Sequence, residues 1–116
     1  MNLTQLRKFC LGLPGVTEDI KWSHDLCFMV GDKMFCVTSF EPDAAVSMKV
    51  SPDEFDELCE RDGIIPAPYL AKAKWICVKD KSAFTLAQWK HYVKKSYELI
   101  SAGLTKKKRM ELGIEK

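Results

Sequence analysis

Residues 26–38, with the sequence LCFMVGDKMFCVT, decide how this chain folds. Two apolar runs, 26–30 and 34–38, flank the polar segment Gly31-Asp32-Lys33. Apolar runs of about four to eight residues bounded by turn-forming residues are typical of strands, and a short loop containing glycine joins such strands as an antiparallel hairpin. The stretch therefore predicts a β-hairpin with a three-residue loop.

Two further strands are predicted on the carboxyl side of this hairpin. Residues 45–50 alternate between apolar and small or polar side chains, which is the pattern of a strand with one buried face. Residues 75–78 form a short apolar run before a polar turn at 79–82. On the amino side, the polar segment from Val16 to Asp25 is predicted to be a connection rather than a strand.

Four helices are predicted from apolar spacing and capping residues. The first follows Asn2 and ends at Pro14-Gly15, and the second starts at the capping-box sequence Ser51-Pro52-Asp53-Glu54. Thr85 starts a long third helix, and residues 105–112 form a short basic one. The order α, β, β, β, α, β, α, α predicts an α+β fold, a two-layer single domain over residues 1–116 whose antiparallel sheet carries helices on one side.

The composition indicates a globular protein with one core. Of the 116 residues, 47% are hydrophobic and 29% are charged, and no apolar run approaches the roughly 20 residues that cross a bilayer. The five cysteines are odd in number and include no Cys-x-x-Cys pair, so we expect reduced core thiols rather than a disulfide framework or a zinc site. The first residues lack the order of a secretory signal. We expect a cytoplasmic protein without a membrane span, metal or cofactor.

The net charge of +2 conceals a strong asymmetry along the chain. Residues 1–60 carry 5 Lys and Arg against 11 Asp and Glu, a balance of −6, whereas residues 61–116 carry 13 against 5, a balance of +8. A basic surface attracts polyanions over about a Debye length. The alternative interpretation is that these charges only keep exposed helices soluble.

A proline-rich segment, residues 66–75 with the sequence PAPYLAKAKW, interrupts the regular pattern. Each proline fixes φ and holds the preceding residue extended, so a stiff turn would present Tyr69 between lysines. Tyr69 and Trp75 are both candidates to stack on unpaired bases. Trp75 lies beside apolar strand residues and is expected in the core, whereas Tyr69 stays a candidate to contact a ligand.

His24, Cys27 and His91 are the candidate residues for an enzymatic function, but their pattern does not favour one. Cys27 opens an apolar strand, where burial raises the pKa of a thiol and lowers its nucleophilicity. No glycine-rich phosphate loop, paired-carboxylate motif or metal-ligand cluster accompanies these residues. We expect a non-enzymatic protein.

Several ordered pieces of the chain match one family pattern. They are LPGVTE at 13–18, Phe28 with VGDKMF at 30–35, SMKV at 47–50, PAPYL at 66–70 with Lys72 and Trp75, SYELI at 96–100, and Leu104 with Lys106-Lys107. With these pieces the chain resembles the MmcQ/YjbR family over nearly its whole length. The resemblance implies a compact α+β double-wing domain that binds DNA, with a fold that also resembles secretion chaperones. The chain departs from the family pattern at Lys74, where family members often have histidine. A catalytic role at this position is therefore less expected.

The hypothesis from charge and resemblance together is non-specific DNA binding. Phosphate neutralisation needs lysines and arginines, whereas base readout relies strongly on arginine, of which the chain has only three. We expect the hairpin to lie along a groove while the last helix sits on the backbone. The predicted nucleic-acid-binding residues are Lys33, Lys49, Tyr69, Lys72, Lys74, Lys106, Lys107, Lys108 and Arg109.

A protein-interaction or chaperone-like function is the alternative hypothesis. The second predicted helix is acidic and would meet a basic partner or the basic half of a second copy, as a weak homo-oligomer. The feature that separates the two hypotheses is whether the lysines converge beside Tyr69 or scatter among carboxylates.

Overall fold

The computed structural model of the chain describes residues 1–114. Within them, six antiparallel strands form one open sheet in the order β1-β2-β3-β4-β6-β5. The predicted α+β class is confirmed; residues 115 and 116 of the predicted domain lie outside the described residues. The strands are β1 (Val16–Lys21), β2 (Asp25–Val30), β3 (Lys33–Ser39), β4 (Val46–Lys49), β5 (Ile64–Pro66) and β6 (Trp75–Val78), and the helices are α1 (Leu3–Leu11), α2 (Pro52–Leu58), α3 (Leu86–Ser101) and α4 (Lys106–Glu111).

The predicted hairpin is formed by β2 and β3, with Cys27 opposite Val37. Its loop has two residues rather than three, because Lys33 already pairs with Val30 in the ladder. Gly31 and Asp32 both have positive φ, 57° and 65°. This is the pattern of a type I′ turn, whose twist matches the twist of the flanking strands.

Two strands were not predicted from the sequence. The segment from Val16 to Asp25, predicted to be a connection, contains the edge strand β1, in which Glu18 pairs with Arg7 of α1 at 2.6 Å. Val16, Glu18 and Ile20 are alternate residues of β1 and share one side of the strand. Because Glu18 is charged, the sequence does not show the apolar alternation that indicates a strand. The second is β5, whose three residues are too few to give a periodic signal.

The predicted helix starts are confirmed by their caps. Asn2, Ser51 and Thr85 each accept a hydrogen bond from the backbone three residues later, and the side chain there reaches back to the cap residue. These reciprocal bonds satisfy amide groups that a helix start otherwise leaves unpaired.

The main core lies between the helices and one face of the sheet. Alternate residues of β6 separate the two faces: Ile76 and Val78 join the main core, whereas Trp75 and Cys77 pack on the other face with Ala67. Trp75 is 5% exposed, so its predicted burial is confirmed, although it lies on the face away from the main core. Ala67 and Leu70 of the proline segment pack on this second face around Trp75 and Cys77.

A buried hydroxyl group joins α3 to the seam between β3 and β4. The two strands pair at Cys36–Met48 and Val37–Ser47, and continuing this register would place Phe35 opposite Lys49. Ser96 takes the place of that contact: its hydroxyl donates to the Phe35 carbonyl at 2.6 Å and accepts from the Lys49 amide at 2.9 Å. The strands therefore separate around a helix side chain while both backbone groups stay hydrogen-bonded.

We predict that Ser96→Ala destabilises the fold by about 2–3 kcal/mol, because it leaves a carbonyl and an amide without their partner. Urea unfolding followed by circular dichroism measures this. Ser101→Ala is the matched control on the same helix, since the Ser101 hydroxyl donates only to the Glu98 carbonyl within α3. The control should lose less than about 1 kcal/mol. Equal losses in the two variants would contradict a structural role for the bridge.

We also predict that stability falls as the pH rises above about 8.5, the usual pKa of an unfolded thiol. A hydrogen bond with the Cys10 thiol, together with burial, holds the pKa of Cys36 well above its ordinary value. The folded chain thus keeps a proton that the unfolded chain loses, so stabilisation is complete below the unfolded pKa and is lost above it. Urea unfolding under reducing conditions should show that the free energy of unfolding declines as the pH rises. This decline with pH should be shallower in Cys36→Ala. An unchanged slope in that variant would contradict this account.

Candidate nucleic-acid interface

One end of the sheet gathers the predicted binding residues of the strands and of the proline segment. Neighbouring strands run in opposite directions, so one end of the sheet holds the start of β3, the end of β4, the start of β6 and the end of β5. The pairs Lys49–Trp75 and Pro66–Ile76 show this. We call this the basic end. It carries five of the predicted residues, namely Lys33, Lys49, Tyr69, Lys72 and Lys74.

Helix α4 lies across the same end and brings the other four. Before the helix, the Leu104 side chain packs on the hairpin tip, so closely that a Cβ on Gly31 would lie 2.7 Å from a Leu104 methyl carbon. After the helix, Leu112 contacts Gly15 in the same way, directly before β1 begins. Because β1 starts and β2 ends at the basic end, Lys106, Lys107, Lys108 and Arg109 lie there too.

Four lysines of the basic end are exposed to solvent. They are Lys33, Lys72, Lys106 and Lys107. Within residues 1–114, the ion pairs involve Arg7, Lys21 and His24 only, so none of the ten lysines from Lys72 to Lys108 pairs with a described carboxylate. The lysines of the basic end therefore form no ion pair with a described carboxylate.

Three other predicted residues have structural contacts of their own. The Lys49 ammonium donates to the Ala73 carbonyl, and the Lys74 ammonium lies 4.9 Å from the centroid of the Phe55 ring. The Arg109 guanidinium donates to the carbonyls of Ala102 and Leu104 and so fastens α4 to the end of α3. These side chains shape the basic end, and an ammonium group keeps further donors for a phosphate.

Tyr69 stands out at this end because its side chain is fully exposed and its backbone is strained. The Leu70 amide donates to the Ala67 carbonyl at 3.1 Å, with Pro68 and Tyr69 between them, and Tyr69 has φ of 67°. This is the pattern of a type II turn, in which the third position favours glycine or asparagine. A non-glycine residue there costs about 1 kcal/mol or more, and no burial of the ring compensates for it.

The opposite end of the sheet receives two lysines that are close to Lys72 and Lys74 in sequence. Lys79 and Lys81 follow the end of β6, whereas Lys72 and Lys74 precede its start. A four-residue strand at about 3.3 Å per residue separates the two pairs. The lysines around β6 thus belong to two surfaces rather than one.

An exposed apolar cluster at this opposite end was not predicted from the sequence. Ile20, Trp22 and Phe40 are each at least half exposed, and Ile20 and Phe40 line one depression of about 300 Å³ with Arg7, Glu18, Asp19 and Leu26. Trp22 lies in a tight turn with φ of 52°. The only sequence signal was Trp22 within a polar segment.

The residues considered for catalysis differ in exposure. The Cys27 thiol is buried in β2, and burial raises its pKa, as expected. His24 and His91 are both exposed, and the His24 ring lies 3.8 Å from the Asp25 carboxylate. Residues 1–114 contain no cluster of three or more potential metal ligands. No helix in the same part of the chain has the length and apolarity needed to cross a membrane.

Comparisons with known proteins agree with this architecture. The chain is similar to the crystal structure of Deinococcus radiodurans protein DR2400, described by the domain family DUF419, with 29% identity, a TM-score of 0.88, and coverage of 97% of this chain and 88% of that one. A protein from Pseudomonas syringae shares the fold at 20% identity and a TM-score of 0.70, over 85% of this chain and 98% of that one. No curated protein matches the sequence.

A family model supports the resemblance seen in the sequence. The model named YjbR matches residues 11–99, which include the whole sheet and most of α3. The match therefore extends from the end of α1 through the proline segment to the SYELI stretch. Because it spans well over half of the 116 residues, the chain belongs to the YjbR family.

Proposed function

We propose that this YjbR protein binds nucleic acid, weakly and with little sequence preference, through the basic end of its sheet. The observation that carries the proposal is the convergence of Lys33, Lys72, Lys106 and Lys107 at that end without a carboxylate partner. Unpaired ammonium groups neutralise phosphates and release counterions, which is the main source of non-specific affinity.

The same end offers little for reading base sequence. Of the three arginines, Arg7 pairs with Glu18, Arg109 holds the end of α3, and Arg61 lies 6.0 Å from the Phe84 ring centroid. Bidentate contacts to guanine are the commonest specific contacts in the major groove, and they require arginine or lysine aimed at base edges. The geometry supports contacts to the phosphate backbone rather than to bases in a groove.

A protein-interaction function is the second candidate, and the cluster of Ile20, Trp22 and Phe40 favours it. Isolated apolar residues on a surface are ordinary, but adjacent ones rimmed by charges are typical of interfaces. The cluster lies opposite to the basic end, so the two functions use different surfaces and do not exclude each other.

Neither candidate includes catalysis. Cys27 is buried whereas His24 and His91 are exposed, and this supports the proposal of a non-enzymatic function. A cytoplasmic location remains a prediction from the sequence.

The first test is fluorescence anisotropy with labelled DNA across a salt series. Affinity should fall steeply as salt rises. The salt slope, which is the fall in the logarithm of the binding constant per unit logarithm of salt concentration, should be about 0.9 per phosphate contact for a duplex and about 0.7 for a single strand. Lys72→Ala combined with Lys106→Ala should lower the slope by up to about two contacts, because each change removes one neutralising charge.

The matched control is Lys79→Ala combined with Lys90→Ala. Both residues are exposed lysines, Lys79 follows the end of β6, and Lys90 adjoins Trp89, whose indole donates to the Lys81 carbonyl at the opposite end. The control removes the same charge but should leave the slope nearly unchanged. Equal effects of the two double variants would show that net charge alone drives binding, and no binding at low salt would reject the function.

The second candidate predicts a mass that rises with protein concentration. Sedimentation velocity should detect self-association, and Trp22→Ser combined with Phe40→Ser should abolish it because the apolar contact area is lost. A wild-type chain that stays monomeric at all concentrations would reject self-association through this cluster.

A further inference from the structure

The loop that presents Tyr69 is closed at its base and anchored in the protein. The Ala67 amide donates to the Trp75 carbonyl at 3.0 Å, and the Trp75 amide donates to the Leu70 carbonyl at 3.2 Å. Ala67 and Trp75 are buried, and Leu70 packs against them. The neighbours of Tyr69 are therefore fixed while its own ring faces solvent, and little ordering remains to be done when a ligand binds.

The same loop is held from outside by Lys49. Its ammonium donates to the Ala73 carbonyl, which joins β4 to the short helical turn Ala71–Ala73. Lys49 thus places a positive charge against the loop, and the exposed Lys72 lies in the same helical turn, whereas the Lys74 ammonium lies over the Phe55 ring of α2. A rigid aromatic ring beside unpaired cations is the combination that binds single strands, whose bases stack on aromatic rings while lysines contact the phosphates.

We infer that Tyr69 is a stacking platform for an unpaired base and that the ligand of the basic end is single-stranded nucleic acid rather than duplex. This inference rests on the proposed function and adds the class of ligand. The faces of paired bases are covered by their neighbours in a duplex, so a ring on a tight turn gains a base contact only with a single strand.

The hairpin tip argues in the same direction. A duplex-binding wing needs a projecting element that enters a groove, but Gly31 at the tip is packed against Leu104. Lys33 remains exposed beside this contact, and a Cβ on Gly103 would lie 3.8 Å from its ammonium nitrogen. The basic end therefore presents cations and one ring on a closed surface, which suits a flexible strand lying across it.

The experiment compares labelled oligothymidylate and oligouridylate of about 20 nucleotides with a duplex of the same length, a length that exceeds the usual binding site of about 4–16 nucleotides. The single strands should bind more tightly than the duplex. Tyr69→Asn should weaken single-strand binding about 5- to 150-fold, which corresponds to the usual contribution of one stacked base. Comparison of the two single strands identifies whether DNA or RNA is preferred.

Asparagine is chosen because it accepts positive φ at this turn position, so the loop keeps its conformation when the ring is removed. Circular dichroism and urea unfolding should show a variant at least as stable as the wild type. Tyr69→Phe keeps the ring and should retain single-strand binding. Trp22→Asn is the matched control, since Trp22 is also an exposed aromatic residue at positive φ, but at the opposite end of the sheet.

The salt series separates stacking from charge. Tyr69→Asn should lower affinity without changing the salt slope, whereas Lys72→Ala should change the slope. Equal affinity for duplex and single strand, or unchanged binding by Tyr69→Asn while Lys72→Ala still lowers the slope, would overturn the inference and leave the proposed function intact. An absence of binding to all three probes at low salt would overturn both.

Discussion

The hydroxyl group of Ser96 is the contact on which the rest of this structure depends. It stands between β3 and β4 and bonds to a backbone group of each, so that α3 is joined to the centre of the sheet. Cores are close-packed and accept only a few arrangements, and a buried polar bridge with specific geometry selects one of them. From this point α3 runs on to Ser101. Leu104, three residues later, packs on the hairpin tip directly before α4 begins.

The bridge also determines the shape of the basic end. The amide of Lys49 is fixed by Ser96, and the side chain of the same residue reaches the Ala73 carbonyl. One residue therefore transmits the position of α3 to the loop that carries Tyr69. The other face of that loop is closed by Ala67 and Trp75, which form the small second core. The strained turn at Tyr69 is thus supported by a hydrogen bond on one side and by packing on the other, and local strain persists only where the surrounding structure fixes it in this way.

Sequence patterns predicted the elements that depend on local chemistry. The capping boxes at Ser51 and Thr85, the hairpin of β2 and β3, and the burial of Trp75 all followed from neighbouring residues. Patterns failed at two strands. β1 contains a glutamate that pairs with Arg7 of α1 and interrupts the apolar alternation, and β5 is too short to show a period. The charge asymmetry indicated a basic surface, but the separation of Lys72 from Lys79 depends on which end of β6 each adjoins. The contribution of Ser96 had no sequence signal beyond a polar residue on the apolar stripe of α3.

Amide chemical shifts measured during titration with oligothymidylate test most directly whether the basic end of the sheet is the binding surface. We expect perturbed amides at 31–33, 49, 69–75 and 103–109, with no change at 20–24, 40–43 or 79–83. Perturbations confined to the end that carries Trp22 and Phe40, or an unchanged spectrum at low salt, would contradict this expectation.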